Sequence, residues 1–298
     1  MNGFLNILKP PGMTSAAVVA VVRRLTGEKH VGHAGTLDPE AAGVLPVMIG
    51  RAARLFDYLV DKQKGYVAEC AFGQATDTQD ATGVILAEGD AYPDRDAVAR
   101  AAEGLTGDIP QRPSMYSAIK QGGVPMYVRA RRGEEIEMPV RLVHVESIRL
   151  GEELPEHGVM LTVDCGKGTY IRSICHDLGR AAGCPAHMRF LLRTRSGAFG
   201  LDTAMTLEEL TAHRDAGDLA SCLLPLDAPL GHLPRAEAPT WLEKQVRNGV
   251  RLPLKKLKTD RDLAEGEASR VYLVGRFWGM AAREGDELVW RCQIPPEA

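Results

Sequence analysis

The chain has 298 residues, 45% hydrophobic and 25% charged, an ordinary balance for a folded globular protein. That length favours two domains, since one domain runs roughly 100–200 residues. The net charge of −3 does not mark a nucleic-acid binder, although clustering on one face counts for more than the total.

Six cysteines (Cys70, Cys165, Cys175, Cys184, Cys222 and Cys292) form no CxxC pair and no zinc spacing. No signal sequence precedes the first strand-like run, and no apolar stretch reaches about 18 residues. A cytosolic protein with reduced thiols and no membrane span is expected.

Phe4 to Leu8 reads as a short strand, broken by Lys9-Pro10-Pro11-Gly12. Thr14 or Ser15 caps a helix to about Leu25, ended by Gly27. Gly32 to Leu45 then reads GHAGTLDPEAAGVL. Asp38-Pro39-Glu40 has the pattern of a helix start, with Asp as N-cap and Pro at the first position. A short helix over Glu40, Ala41 and Ala42 follows from that. The same residues also read as a carboxylate held at a Gly-rich turn, as a nucleophile must be.

Val44 to Ile49 reads as a strand and Arg51 to Val60 as an amphipathic helix. Lys64 to Cys70 alternates as a strand does. Gly73 to Gly83 is a polar turn run. It is not a calcium loop, because Thr82 stands where glycine is needed and the closing acid is missing. Its Asp and Thr side chains suit bonds to their own backbone.

Asp94 caps a helix to Leu105. A basic stretch then carries Lys120, Arg129, Arg131, Arg132 and Arg141, with Gly122-Gly123 as a hinge. By pattern alone this is a solvated basic segment. Arg141 to Leu150 and Gly158 to Asp164 read as paired strands, and a helix runs from about Thr169 to Ala182. Arg172 falls in its first turn, where the helix dipole disfavours a cation, so an anionic partner is expected. Ala186 to Gly197 reads as a strand. From Cys165 to Gly197 there are six Lys/Arg against one Asp, a local cationic surface. Pro225, Pro229, Gly231 and Pro234 mark a domain junction near 225–238. Beyond it come a helix from Thr240, a second basic cluster from Arg247 to Arg261, and three short strands.

Several stretches, in order, resemble the motifs of the bacterial tRNA pseudouridine synthase B (TruB) family. They are KPxGxTS from Lys9, HxGTLDPxAxGVL from His33, KxY ending at Tyr66 with TDTxDxxG from Thr76, YSAxK from Tyr116, GTYIRS from Gly168, and AHxxxL from Ala186. One departure is Leu192, which stands where the family usually has arginine.

The resemblance implies an α+β fold with a mixed or antiparallel sheet core, flanking helices and a basic thumb insertion at about 113–141. It implies a catalytic domain over 1–232 and a small β-rich PUA-like RNA-binding domain over 233–298. The implied activity is isomerisation of a T-loop uridine, position 55 of tRNA, to pseudouridine. Asp38 would be the essential aspartate, with Tyr66 and Arg172 as further catalytic residues and Arg172 pairing Asp38. An arginine there lowers a carboxylate's pKa, typically by about 1–3 units, and would keep it ionised. His33 would hold the opened loop, Tyr66 would stack on the base, Tyr170 and Leu191 would wall the pocket, and Lys9 would lie at the substrate.

The implied partner is the T-arm of tRNA, with no metal, no cofactor, no obligatory protein partner and nothing that demands more than a monomer. The uridine must be flipped out of its loop to be reached.

On their own patterns Lys9 is a solvated loop lysine, Tyr66 a half-buried strand tyrosine and Leu191 an ordinary strand leucine. Three rivals were weighed. A non-catalytic RNA chaperone has no need of Asp38, Tyr66 and Arg172 together. A guide-RNA-dependent synthase carries extra segments, for which the short stretch before the first strand leaves little room. A glycoside hydrolase would use Asp38 and Glu40, but residues two apart at a helix start point in different directions.

Overall fold

The computed structural model describes residues 1–60, 63–117, 119–134 and 136–296. Ala118 of the YSAxK motif, Glu135 inside the expected thumb, and Glu297 and Ala298 at the end of the expected second domain lie outside them.

A nine-stranded sheet organises the first part of the chain. Its order is Gly3–Lys9, Ala42–Ile49, Ala186–Ser196, Lys64–Phe72, Gly158–Cys165, Arg141–Leu154 and Gly107–Gln111. Val31–His33 pairs with Ala42–Ile49, and Phe199–Gly200 with Ala186–Ser196. Ala186–Ser196 runs parallel to Ala42–Ile49 and antiparallel to Lys64–Phe72, so the sheet is mixed, as expected.

Strand alternation decides which residues meet the flanking helices. Leu5 and Ile7 face the helix Ser15–Thr26 with Val18, Val22 and Leu25, while Phe4 points to the opposite face. That helix starts and stops as its sequence predicts: Thr14 accepts a bond from the Ala17 amide, and Gly27 closes it at φ 69°. On the other half of the sheet, Ile171, Ile174 and Leu178 of helix Ile171–Ala182 pack on Ala68, Leu161 and Val163, with Val98 and Ala101 of helix Arg95–Glu103.

A second sheet of six strands takes the order Leu252–Pro253, Glu287–Gln293, Arg276–Glu284, Ala268–Leu273, Arg235–Ala238 and Lys258–Thr259. Its core holds Leu242, Val246, Val271, Trp278 and Leu288. It is not an independent lobe, because Met280, Cys292 and Ile294 share one apolar cluster with Phe4, Leu55, Leu59 and Leu230. Arg51 and Arg54 add bonds to the carbonyls of Pro295 and Gln293 at 2.7 and 2.6 Å. Among the described residues no helix is long and apolar enough to cross a membrane.

Two local expectations need correction. Glu40 to Ala42 is not helical: a turn at 39–40 leads straight into the strand Ala42–Ile49. Arg51 to Val60 is a 3-10 helix, Gly50–Leu55, followed by one α turn, Asp57–Val60. Gly122-Gly123 forms the two-residue turn of the hairpin Lys120–Gln121/Val124–Pro125, with φ of 60° and 82°, a conformation glycine adopts without strain. The segment around it has a small core of its own, Ile119, Met126 and Met138, against which Tyr170 packs.

Candidate active site

Asp38 sits on a loop that is pinned on every side. Ser15 Oγ accepts from the Leu37 amide at 2.9 Å and donates to the Leu37 carbonyl at 3.0 Å. Lys9 Nζ donates to the carbonyls of Pro10, Pro39 and Ala41 at 2.7, 2.9 and 2.6 Å. Lys9 is fully buried, so it is not a solvated loop lysine. All three of its donors are used to hold the backbone around Asp38. Burial pushes its pKa down to about 8, against the pull of Glu40 and Asp38.

Arg172 meets Asp38 as its helix position predicts. Its Nε lies 2.9 Å from Asp38 Oδ2, an ion-pair distance whose angle falls outside hydrogen-bond range, and its Nη2 donates to Oδ1 at 3.4 Å. Nη1 lies 3.5 Å from Asp80 Oδ2. The same guanidinium donates to the carbonyls of Thr78 and Tyr116 at 2.8 and 2.9 Å. Two carboxylates and two carbonyls thus offset the unfavourable helix dipole at a side chain only 4% exposed.

The polar turn 76–83 is self-bonded, as expected. Thr78 Oγ1 donates to Asp80 Oδ1 at 2.7 Å, and Asp77 Oδ1 accepts from the Val84 amide at 2.8 Å. Its link to Arg172 through Asp80 was not anticipated from local pattern.

The electrostatic expectation for Asp38 needs correction. Its side chain keeps 37% of its surface open to the cleft, yet burial is the largest influence on it. Burial raises the carboxyl above its usual 3.8, and the opposing pull of Arg172 does not fully cancel that rise.

A cleft of about 540 Å³ opens over Asp38. Tyr66, Tyr170, Arg172 and Leu191 line it with Asp38, so five of the expected site residues converge on one space. Tyr66 lies on the central strand Lys64–Phe72, and burial pushes its phenol to about 12. Tyr170 is fixed by a two-way bond with Gln111: its amide donates to Oε1 at 2.8 Å and its carbonyl accepts from Nε2 at 3.1 Å. His33 is not in the cleft lining, although its neighbour Ala34 is. Its Nδ1 is buried without a hydrogen-bond partner, and burial lowers its pKa.

The structure adds residues to the cleft that the sequence did not place there. Lys64, Arg141, Lys167 and the 73%-exposed Leu142 also line the cleft, giving it cations and an apolar lip. Arg193 belongs to the lining too, although it is only 1% exposed. Lys64 and Arg193 stand inside or beside quoted motifs, which was the available signal.

A carboxylate, an arginine, an aromatic ring and an apolar wall suit covalent or proton-transfer chemistry on a flat ring substrate. Two family models match the chain. One, for the N-terminal domain of TruB family pseudouridylate synthases, covers residues 23–171; the other, for the tRNA pseudouridylate synthase B C-terminal domain, covers 172–231. The chain belongs to the TruB family of pseudouridylate synthases.

A tRNA pseudouridine synthase B of Alkaliphilus oremlandii (strain OhILAs) is 46% identical over 94% of this chain and 92% of its own length. That of Bacillus subtilis (strain 168) is 42% identical over 85% and 84%. Among solved structures, an H/ACA RNP bound to a substrate RNA containing 2'-deoxyuridine aligns at TM-score 0.77 and 25% identity, over 99% of this chain and 85% of the other. A Cbf5-Nop10-Gar1 complex aligns at TM-score 0.73 and 27% identity, over 94% and 78%. Residues 232–298 lie beyond both family models, but the first of these structural alignments extends over nearly the whole chain.

Proposed function

We propose that this protein isomerises the T-loop uridine of tRNA, position 55, to pseudouridine, without a guide RNA or obligatory protein partner. The reaction breaks the bond between C1′ and N1 and forms one between C1′ and C5. A proton leaves C5 and one arrives at N1, so no redox partner or nucleotide energy is required. The observation that carries the reading is the Asp38–Arg172 pair, held at 2.9 Å in the same cleft as the Tyr66 and Tyr170 rings.

Asp38 is the group that acts at the sugar–base centre. Arg172 orients it and opposes the pKa rise that burial causes. Tyr66 stacks on the flipped base, a contact worth about 1–3 kcal/mol that offsets the few kcal/mol of flipping. Tyr170 and Leu191 wall the pocket, and His33, one residue before the cleft, occupies the opened loop. The cations Lys64, Arg141 and Lys167 face the RNA backbone.

Residues 1–232 carry the chemistry, and the thumb at 113–141 closes on the RNA. Residues 233–298 contact RNA as well. In support, Trp241 is 62% exposed there and Lys256 Nζ stands 5.1 Å from its ring centroid, the pairing of aromatic and cation that single strands favour. The enzyme acts as a monomer in the cytosol, which suits six cysteines that form no disulfide.

The standalone reading is preferred to a guide-dependent one because the curated relatives at 46% and 42% identity are tRNA pseudouridine synthases B, whereas the H/ACA and Cbf5 structures stand at 25% and 27%. The test is tritium release from a T-arm stem-loop carrying 5-tritiated uridine, with no other RNA or protein present. Release by the wild-type chain alone is the expected result. RNA binding without release would overturn the reading.

A further inference from the structure

Arg193 is the largest of the fully buried side chains in the molecule's described part, and it stands at the centre of the mixed sheet. Among the described residues no carboxylate lies within ion-pair distance of it. Its Nε donates to the Val44 carbonyl at 2.7 Å, Nη1 to Thr36 at 3.3 Å and Nη2 to Gly35 at 3.0 Å. Tyr66 stands directly opposite Arg193 in the antiparallel pair, and the guanidinium pulls on its phenol. The close approach that makes this reach possible depends on Gly43, opposite Arg193 in the parallel pair: at φ 117°, a Cβ there would collide with the Arg193 backbone.

A buried cation held only by neutral acceptors is costly, and an apolar side chain of similar volume would stabilise the core at least as well. The acceptors explain what an apolar residue could not do. They lie on the strand Ala42–Ile49 and on the turn two and three residues before Asp38, while Arg193 itself pairs with Tyr66 across the neighbouring strand. Only a planar fork with several fixed donors spans them; an ammonium is a point charge on a flexible stem.

We propose that Arg193 is a positioning residue, tying the hydroxyl of Tyr66 to the Gly35-Thr36 turn so that the Tyr66 ring and the Asp38 carboxylate keep one fixed spacing. The inference rests on the roles given above to Asp38 and Tyr66. Lys9 and Ser15 hold the far side of the same loop, so Arg193 is the tie on the Tyr66 side. A charge-keeping substitution then loses spacing without losing the buried cation.

The experiment compares wild type, Arg193→Lys, Tyr66→Phe and the double variant, with kcat, KM, RNA affinity and thermal unfolding measured for each. Arg193→Lys lowers kcat about a hundredfold, the scale of a misplacement near 1 Å, and leaves RNA affinity unchanged. In the Tyr66→Phe background the same change costs less than about tenfold, because the tie is already cut. An equal factor in both backgrounds overturns the proposal, as does a rise in KM with kcat intact.

Amide hydrogen exchange reads the tie without turnover. Arg193→Lys speeds exchange at 35–38 and at Tyr66 together while helix Ser15–Thr26 stays protected. Unchanged exchange at either segment overturns the tie, whether or not the wild type turns over RNA. A wild type without turnover instead counts against the proposed function.

Discussion

The loop that carries Asp38 and the segment 113–141, proposed above as a thumb, both contribute to the cleft, the second through Arg141, but are built on opposite principles. The Asp38 loop is held by two buried cations, Lys9 and Arg193, and by a two-way bond from Ser15. Among its described residues the proposed thumb has a small core of Ile119, Met126 and Met138, with exposed ion pairs at its edge such as Arg112–Glu137 at 2.6 Å, a class worth about 0–1 kcal/mol. Positioning at the reacting atoms calls for the first kind of construction, and closing on a large polyanion calls for the second. The contrast teaches where a substitution will strike: kcat on the loop side, RNA affinity on the thumb side.

The largest effect is expected on the loop side. Arg172→Met removes the partner of both Asp38 and Asp80, and breaking such a buried pair costs about 3–5 kcal/mol of stability. Turnover falls to background while thermal unfolding shifts down. A variant that keeps even a tenth of wild-type kcat would show that Arg172 is a strut for the 76–83 turn and nothing more.

A smaller effect concerns pH. Asp38 is raised above its usual 3.8, so the ionised form is lost at a higher pH than for an ordinary aspartate. The folded state holds that proton more tightly than the unfolded one. Asp38 therefore adds stability as pH falls through its folded pKa, and its ionised form costs stability at neutral pH. Turnover runs the other way and declines as pH falls through the same value. A single-turnover rate that stays flat down to 3.8 would contradict the burial effect.

The smallest effect belongs to the thumb. Replacing Arg131 and Arg132 with alanine weakens RNA affinity, leaves kcat at saturating RNA unchanged, and lowers the salt slope of binding by about two if each contacts one phosphate. A fall in kcat instead would erase the distinction between the two regions.

The same contrast separates what was legible in the sequence from what was not. Helices with their own caps were readable: Thr14 and Gly27 bound one, and Asp94 begins another. The alternating strands Lys64–Phe72 and Ala186–Ser196 were readable from period and motif. The helix expected after Asp38 was not formed, because long-range contacts outweigh its local start signal. Lys9 takes the carbonyls of Pro39 and Ala41, and strand pairing begins with Gly43 opposite Lys9.

The role of Arg193 was invisible for the same reason, since its acceptors sit about 150 residues away in sequence, on and just before the neighbouring strand. The Asp38–Arg172 pair was readable only because a cation in a helix's first turn asks for an anion and the family resemblance supplied one. The balance of burial against that arginine required the structure.

Asp38 carries the chemistry proposed above. The decisive measurement is single-turnover pseudouridine formation in a T-arm stem-loop by wild type and Asp38→Asn, with RNA affinity and thermal unfolding determined for both. The amide can still accept from Arg172 and removes the buried charge, so the fold and RNA binding should survive. Turnover by wild type and none by Asp38→Asn at equal affinity is the expected result; comparable turnover by both would overturn the catalytic role and leave Asp38 a turn residue.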